Sequence, residues 1–104
     1  MRYGLSGKIS TRPGQRDAVI AVLLRDVQEL EAIGCDLYLV SVSHERPDVV
    51  WVTEVWASKD AHDASLQLPT VKQAIAEAMP MLTGEFEHVE LSVVGGLGVP
   101  EQRT

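Results

Sequence analysis

The stretch Val49–Leu66, VVWVTEVWASKDAHDASL, decides how the rest of the chain must fold. Its opening segment, Val49 to Ala57, is rich in β-branched and aromatic side chains and holds neither Gly nor Pro, which reads as a strand. Side chains alternate across a sheet, so Trp51, Thr53, Val55 and Ala57 share one face and Val50, Val52, Glu54 and Trp56 share the other. Both faces are apolar, and a strand of this kind needs cover front and back. A chain of 104 residues has helices enough for one cover. The simplest second cover is another copy of the chain, which predicts a homodimer. Beyond Ala57, Ser58 is a good N-cap and Asp60 places a negative charge in the first helical turn. His62, Ser65 and Leu66 then fall on one face of that short helix.

Working outward, the residues before this stretch read as a turn, His44 to Asp48, preceded by a strand from Cys35 to Ser43, so the two strands form a hairpin. Further upstream, Val19, Ile20, Leu23, Leu24, Val27 and Leu30 recur at three and four, which predicts one amphipathic helix from Gln15 to Ile33 that stops at Gly34. The strand from Tyr3 to Thr11 carries Gly4 and Gly7, positions where another group comes close to the backbone. Downstream, Pro69 opens a helix at its first position, with Val71, Ala74, Ile75, Ala78, Met79 and Leu82 as its apolar stripe. Pro80 disturbs its last turn. A fourth strand runs from Phe86 to Val94 and ends at Gly95, Gly96 and Gly98. The order strand, helix, strand, strand, helix pair, strand is the ferredoxin-like βαββαβ arrangement of an α+β domain, a four-stranded antiparallel sheet with helices on one face. One domain is expected over 1–98, with a mobile tail over 99–104.

Composition narrows the function. Hydrophobic residues make up 45% and charged residues 23%, an ordinary globular balance. The net charge of −6 is spread along the chain, so no basic face is offered to nucleic acid or to an anionic membrane. The single cysteine, Cys35, has no internal disulfide partner, and no Cys or His pair stands at a metal-binding spacing. No signal peptide or membrane span is visible, and a cytoplasmic protein is expected.

Several side chains carry chemistry. Glu54 lies among Val50, Val52 and Trp56, where a carboxylate must either hold its proton or find a firm partner. The Trp56 indole N–H needs an acceptor once buried. His62 changes charge near neutral pH and is the candidate general base. His44 in a turn and His88 on an expected edge strand read as structural, and Cys35 as buried and inert.

The pattern Arg12-Pro13-Gly14-Gln15-Arg16-Asp17 after the first strand, Gly34-Cys35 with Tyr38, and Glu54-Val55-Trp56 followed by Asp60-Ala61 and Leu66 resembles the antibiotic biosynthesis monooxygenase family over nearly the whole chain. The resemblance implies a dimeric α/β barrel in which two sheets pair. It also implies oxidation of an electron-rich aromatic, a quinol, anthrone or polyketide phenol, by O2 without metal or flavin. In that light His62, Trp56 and Tyr38 are the expected catalytic residues, Tyr38 as hydrogen-bond donor to a phenolate. Glu54, Ser65, Val52 and Leu66 are the expected substrate contacts. Two positions depart from the family pattern. Ser65 stands where members often carry histidine, and Leu68-Pro69-Thr70-Val71 replaces a frequent Ser-Pro-His-Phe. The haem-degrading branch fits less well, because the helix from Pro69 to Met79 has no histidine to bind iron. A non-catalytic ligand-binding dimer, and an isomerase or cyclase using Glu54 and His62, are the alternative expectations.

Overall fold

A computed structural model describes residues 1–99 of the chain. Four strands, β1 (Arg2–Thr11), β2 (Cys35–Ser43), β3 (Arg46–Trp56) and β4 (Leu82–Val93), form one antiparallel sheet in the order β2-β3-β1-β4. Helices α1 (Arg16–Leu24), α2 (Val27–Ala32), α3 (Lys59–Ser65) and α4 (Pro69–Ala78) supply the cover. This is the expected ferredoxin-like α+β fold. The expected mobile tail falls, except for Val99, outside the described residues.

Register lines up the two sheet faces. Tyr3, Leu5, Gly7 and Ile9 of β1 pair with Trp56, Glu54, Val52 and Val50 of β3. Tyr38 of β2 pairs with Glu54 on the other side. All of these belong to the face beneath the helices. There Val50 and Trp56 are among the largest fully buried side chains. Under α1 and α4 the core closes around Val19, Ala78 and Leu82, with Ile9, Val22, Leu23 and Met81 packed against them. The other face presents Leu39, Val89 and Leu91 largely to solvent. Val55 on that face is nevertheless buried. It pairs with Gly4, whose missing side chain leaves room for Val93 and Leu91: a Cβ there would meet Val93 Cγ2 at 3.0 Å.

Three boundaries correct the sequence reading. The long helix from Gln15 to Ile33 is two helices, because Asp26 leaves helical geometry at φ −124° and ψ 41°. Aspartate is a weak helix former, and here Arg25 swings to Glu77 on α4 at 2.6 Å, tying the break to its neighbour. The β2–β3 turn is shorter than expected, with β3 already starting at Arg46. Pro47 is tolerated in the strand because it lies at a register shift between Val42 and Ser43, where the ladder is interrupted. The fourth strand starts at Leu82 and not Phe86, since a shift in the β1–β4 pairing between Ile9 and Thr11 accommodates Gly84 at φ +94°. Elsewhere local rules hold. The Ser58 hydroxyl caps α3 by accepting the Ala61 N–H at 3.1 Å, Pro69 occupies the first turn of α4, and Pro80 turns its end into a 3-10 segment, Met79–Met81.

Candidate functional site

Between the sheet and the helices lies a cavity with two lobes. The inner lobe, about 310 Å³, runs under α1, α2 and α4, and the outer lobe, about 490 Å³, opens toward β4. Their shared lining residues, Ile9, Leu23, Tyr38, Glu54, His62, Leu66 and Phe86, form a neck. Each lobe is of the size that takes a small organic ligand. All seven residues singled out in the sequence line this space. Trp56 and Ser65 border the inner lobe, Val52 borders the outer one, and Tyr38, Glu54, His62 and Leu66 stand at the neck.

The central strand sets the polar geometry. Glu54 and Trp56 are two residues apart on one face, so the indole N–H donates to Glu54 Oε1 at 3.0 Å. That bond answers the need of both groups, and no lysine or arginine is required to hold the carboxylate. Burial pushes the Glu54 pKa above its ordinary value, against the smaller lowering effects of the Trp56 hydrogen bond and the nearby His62 charge. Tyr38, opposite Glu54 in the β2–β3 register, is raised far above the usual phenol value, first by burial and then by the Glu54 charge. Near neutral pH it is therefore an O–H donor, and among the described residues its hydroxyl has no hydrogen-bond partner.

His62 reaches the neck because Ser58 starts α3 in the correct phase. Its ring meets Trp56 edge-on at 5.6 Å between centroids and lies 5.3 Å from the Tyr3 ring at 45°. The His62 Nδ1 faces Asp63 Oδ1 at 3.0 Å. A carboxylate on Nδ1 favours the tautomer with the proton there, which leaves Nε2 as the acceptor. The same contact depresses the Asp63 pKa. Ser65 lines the inner lobe, but its hydroxyl donates to the His62 carbonyl of its own helix at 2.5 Å, so it has no proton left to offer a ligand.

Tyr3 was not foreseen. It packs on His62, donates to Glu90 Oε2 at 3.0 Å and lies under the Lys59 ammonium, 5.5 Å from the ring centroid. The alternation of β1 already put Tyr3 on the same face as Leu5 and Gly7, but only the β1–β3 register shows that this face is opposite Trp56. Phe86, half exposed at the neck, was placed on a strand without a destination. Cys35 is buried as expected, and burial pushes its thiol up to about 11. Among the described residues no group of three or more His, Cys, Asp or Glu side chains is placed to hold a metal ion, and no helix is long and apolar enough to cross a membrane.

The profile of the antibiotic biosynthesis monooxygenase family matches residues 2–77, which carry β1 through most of α4. The chain belongs to that family. A crystal structure from Chloroflexus aurantiacus J-10-fl, provisionally assigned as an antibiotic biosynthesis monooxygenase, is similar over 96% of this chain and 100% of its own, with 44% identity and a TM-score of 0.88. A protein of Caulobacter crescentus CB15 with the same provisional assignment shares the fold at 24% identity and a TM-score of 0.81, covering 90% of this chain and 91% of its own. Rv0793 from Mycobacterium tuberculosis does so at 20% identity and 0.79, covering 93% and 99%. No protein of curated function matches. Within this family fold, Tyr38, Glu54 and His62 of the present chain meet at one neck between a mainly aliphatic inner lobe and a more polar outer one.

Proposed function

We propose that this family member is a homodimeric, cofactor-independent monooxygenase that oxidises an electron-rich aromatic, a quinol, anthrone or polyketide phenol, with O2 in the cytoplasm. The observation that carries the reading is the convergence of Tyr38, Glu54, Trp56 and His62 beside an inner lobe walled mostly by aliphatic side chains. His62 Nε2 takes the substrate's phenolic or benzylic proton, while Asp63 holds the proton on Nδ1. Tyr38 donates its O–H to the resulting oxyanion. The anion gives one electron to O2, the two radicals combine, and a new C–O bond makes a peroxide on the ring. Glu54, which keeps its proton more readily than an exposed carboxylate, protonates the leaving oxygen. The O–O bond breaks, a second substrate hydrogen leaves as a proton, and the products are a quinone carbonyl and one water. Apolar walls keep bulk water from the peroxide.

The second subunit belongs on the outer sheet face, where Leu39, Val89 and Leu91 are exposed. An isomerase or cyclase reading draws support from Glu54 and His62 facing one neck, and a pure binding role from Ser65 having its hydroxyl tied to α3. Oxygen uptake with hydroquinones and anthrones, on chelated and flavin-free protein, separates the three. Uptake abolished in His62→Ala and in Trp56→Phe supports the oxygenase. Substrate rearrangement without uptake supports the isomerase, and saturable binding without either change supports the binding protein.

A further inference from the structure

The two lobes differ in chemistry in a way that specifies the shape of the ligand. Beyond the neck, the inner lobe is walled by Val22, Leu30, Val71, Ala74, Ile75 and Met79. Its one charged lining residue outside the neck, among those described, is Asp26, which is paired to Arg25 at 3.6 Å. Thr70, also on this wall, is bonded to Glu29 through its hydroxyl. The outer lobe carries Tyr3, Lys59, His88 and Glu90 instead. There Lys59 bridges Glu90 at 3.4 Å, and Tyr3 donates to the same carboxylate. A ligand that spans the neck therefore meets a polar, charged end and an aliphatic end.

We infer that the ligand is an aromatic bearing an aliphatic tail: the oxygenated ring sits at the neck beside His62, its polar substituents point toward Tyr3 and Lys59, and the tail fills the lobe under α4. This rests on the reading of the cavity as the reaction chamber, and it deepens that reading by naming the substrate class. A compact, fully oxygenated ring system would leave the inner lobe empty or force its hydroxyls against the aliphatic side chains of Leu30, Val71 and Ile75, which cannot bond them. Four of the apolar residues bordering the lobe, Leu66, Ile75, Met79 and Phe86, are themselves substantially exposed. A tail covers them.

The test is anaerobic calorimetry with 2-alkylhydroquinones running from the unsubstituted ring through methyl to octyl. Binding is read without turnover, so the tail can succeed or fail independently of the oxygen chemistry. Each added methylene should tighten Kd by about three- to four-fold until the lobe is full. Ala74→Phe, which fills the lobe, and Ile75→Asp, at a half-exposed site that tolerates charge, should each collapse the ratio of octyl to unsubstituted affinity by at least ten-fold. A carboxylate at the end of the tail should abolish the gain. A Kd that stays flat along the series overturns the assignment, as does a gain that survives both variants or the terminal carboxylate.

Discussion

The two faces of the sheet are built from similar residues and meet different fates. On the helix side, Val50 is 0% and Trp56 1% exposed, and the carboxylate of Glu54 at the centre of that face is held by an indole N–H. On the outer side, Leu39 and Val89 are each 52% exposed and Leu91 50%. Hydropathy alone cannot distinguish the faces, because β3 alternates apolar residues on both. The difference is which face the α1, α3 and α4 connections cross. The covered face became a chamber because its cover is incomplete: Gly7 offers no side chain, and a Cβ there would come within 2.9 Å of the Glu87 carbonyl. The open face exposes Leu39, Val89 and Leu91, and in the proposed dimer it meets another copy of itself.

Damage to the covered face should have the largest effect. Trp56→Ala removes a buried indole and strands Glu54, and chemical denaturation should show a loss of about 3–5 kcal/mol. Activity should disappear in the same variant. The outer face should respond in the opposite manner: Leu39→Lys with Leu91→Lys should convert the proposed dimer to a monomer of 11.4 kDa by light scattering, with circular dichroism unchanged. A double variant that stays dimeric would move the interface elsewhere.

A subtler difference lies in pH. Glu54 has a folded pKa above its ordinary value of 4.5, so between the two values the native state binds more protons than the unfolded chain. Stability from this group is therefore greatest below 4.5 and declines as pH rises through the raised folded value. Glu54→Gln should flatten that decline in a series of unfolding curves, while slowing turnover through loss of the acid. The smallest effect is expected at the cap of α3. Ser58→Ala should cost about 1 kcal/mol and raise hydrogen exchange in Lys59–Ser65, loosening the helix that holds His62 over the chamber.

Much of this was legible in the sequence because it depends on local rules. Alternation put Glu54 and Trp56 on one face, Ser58 announced α3, and helical spacing aimed His62 and Leu66 together. What the sequence could not display depends on register. Tyr3 meets His62 only because β1 pairs with β3 in one particular alignment, and Phe86 reaches the neck only because Gly84 and the shift between Ile9 and Thr11 set β4 where they do. The break at Asp26 was hidden for a related reason. Val27 and Leu30 continue the apolar spacing of α1, so the pattern stays helical while the backbone changes direction. Ser65 shows that phase and chemistry are separate matters: it faces the cavity as its position requires, yet its hydroxyl is bound to His62.

The decisive measurement is the fate of isotopically labelled O2 when the chelated, flavin-free protein is given an anthrone. The account predicts one O2 consumed per anthrone, one labelled oxygen in the new quinone carbonyl, the other in water, and no reaction above background in His62→Ala. Saturable anthrone binding with oxygen uptake no faster than in buffer would contradict it.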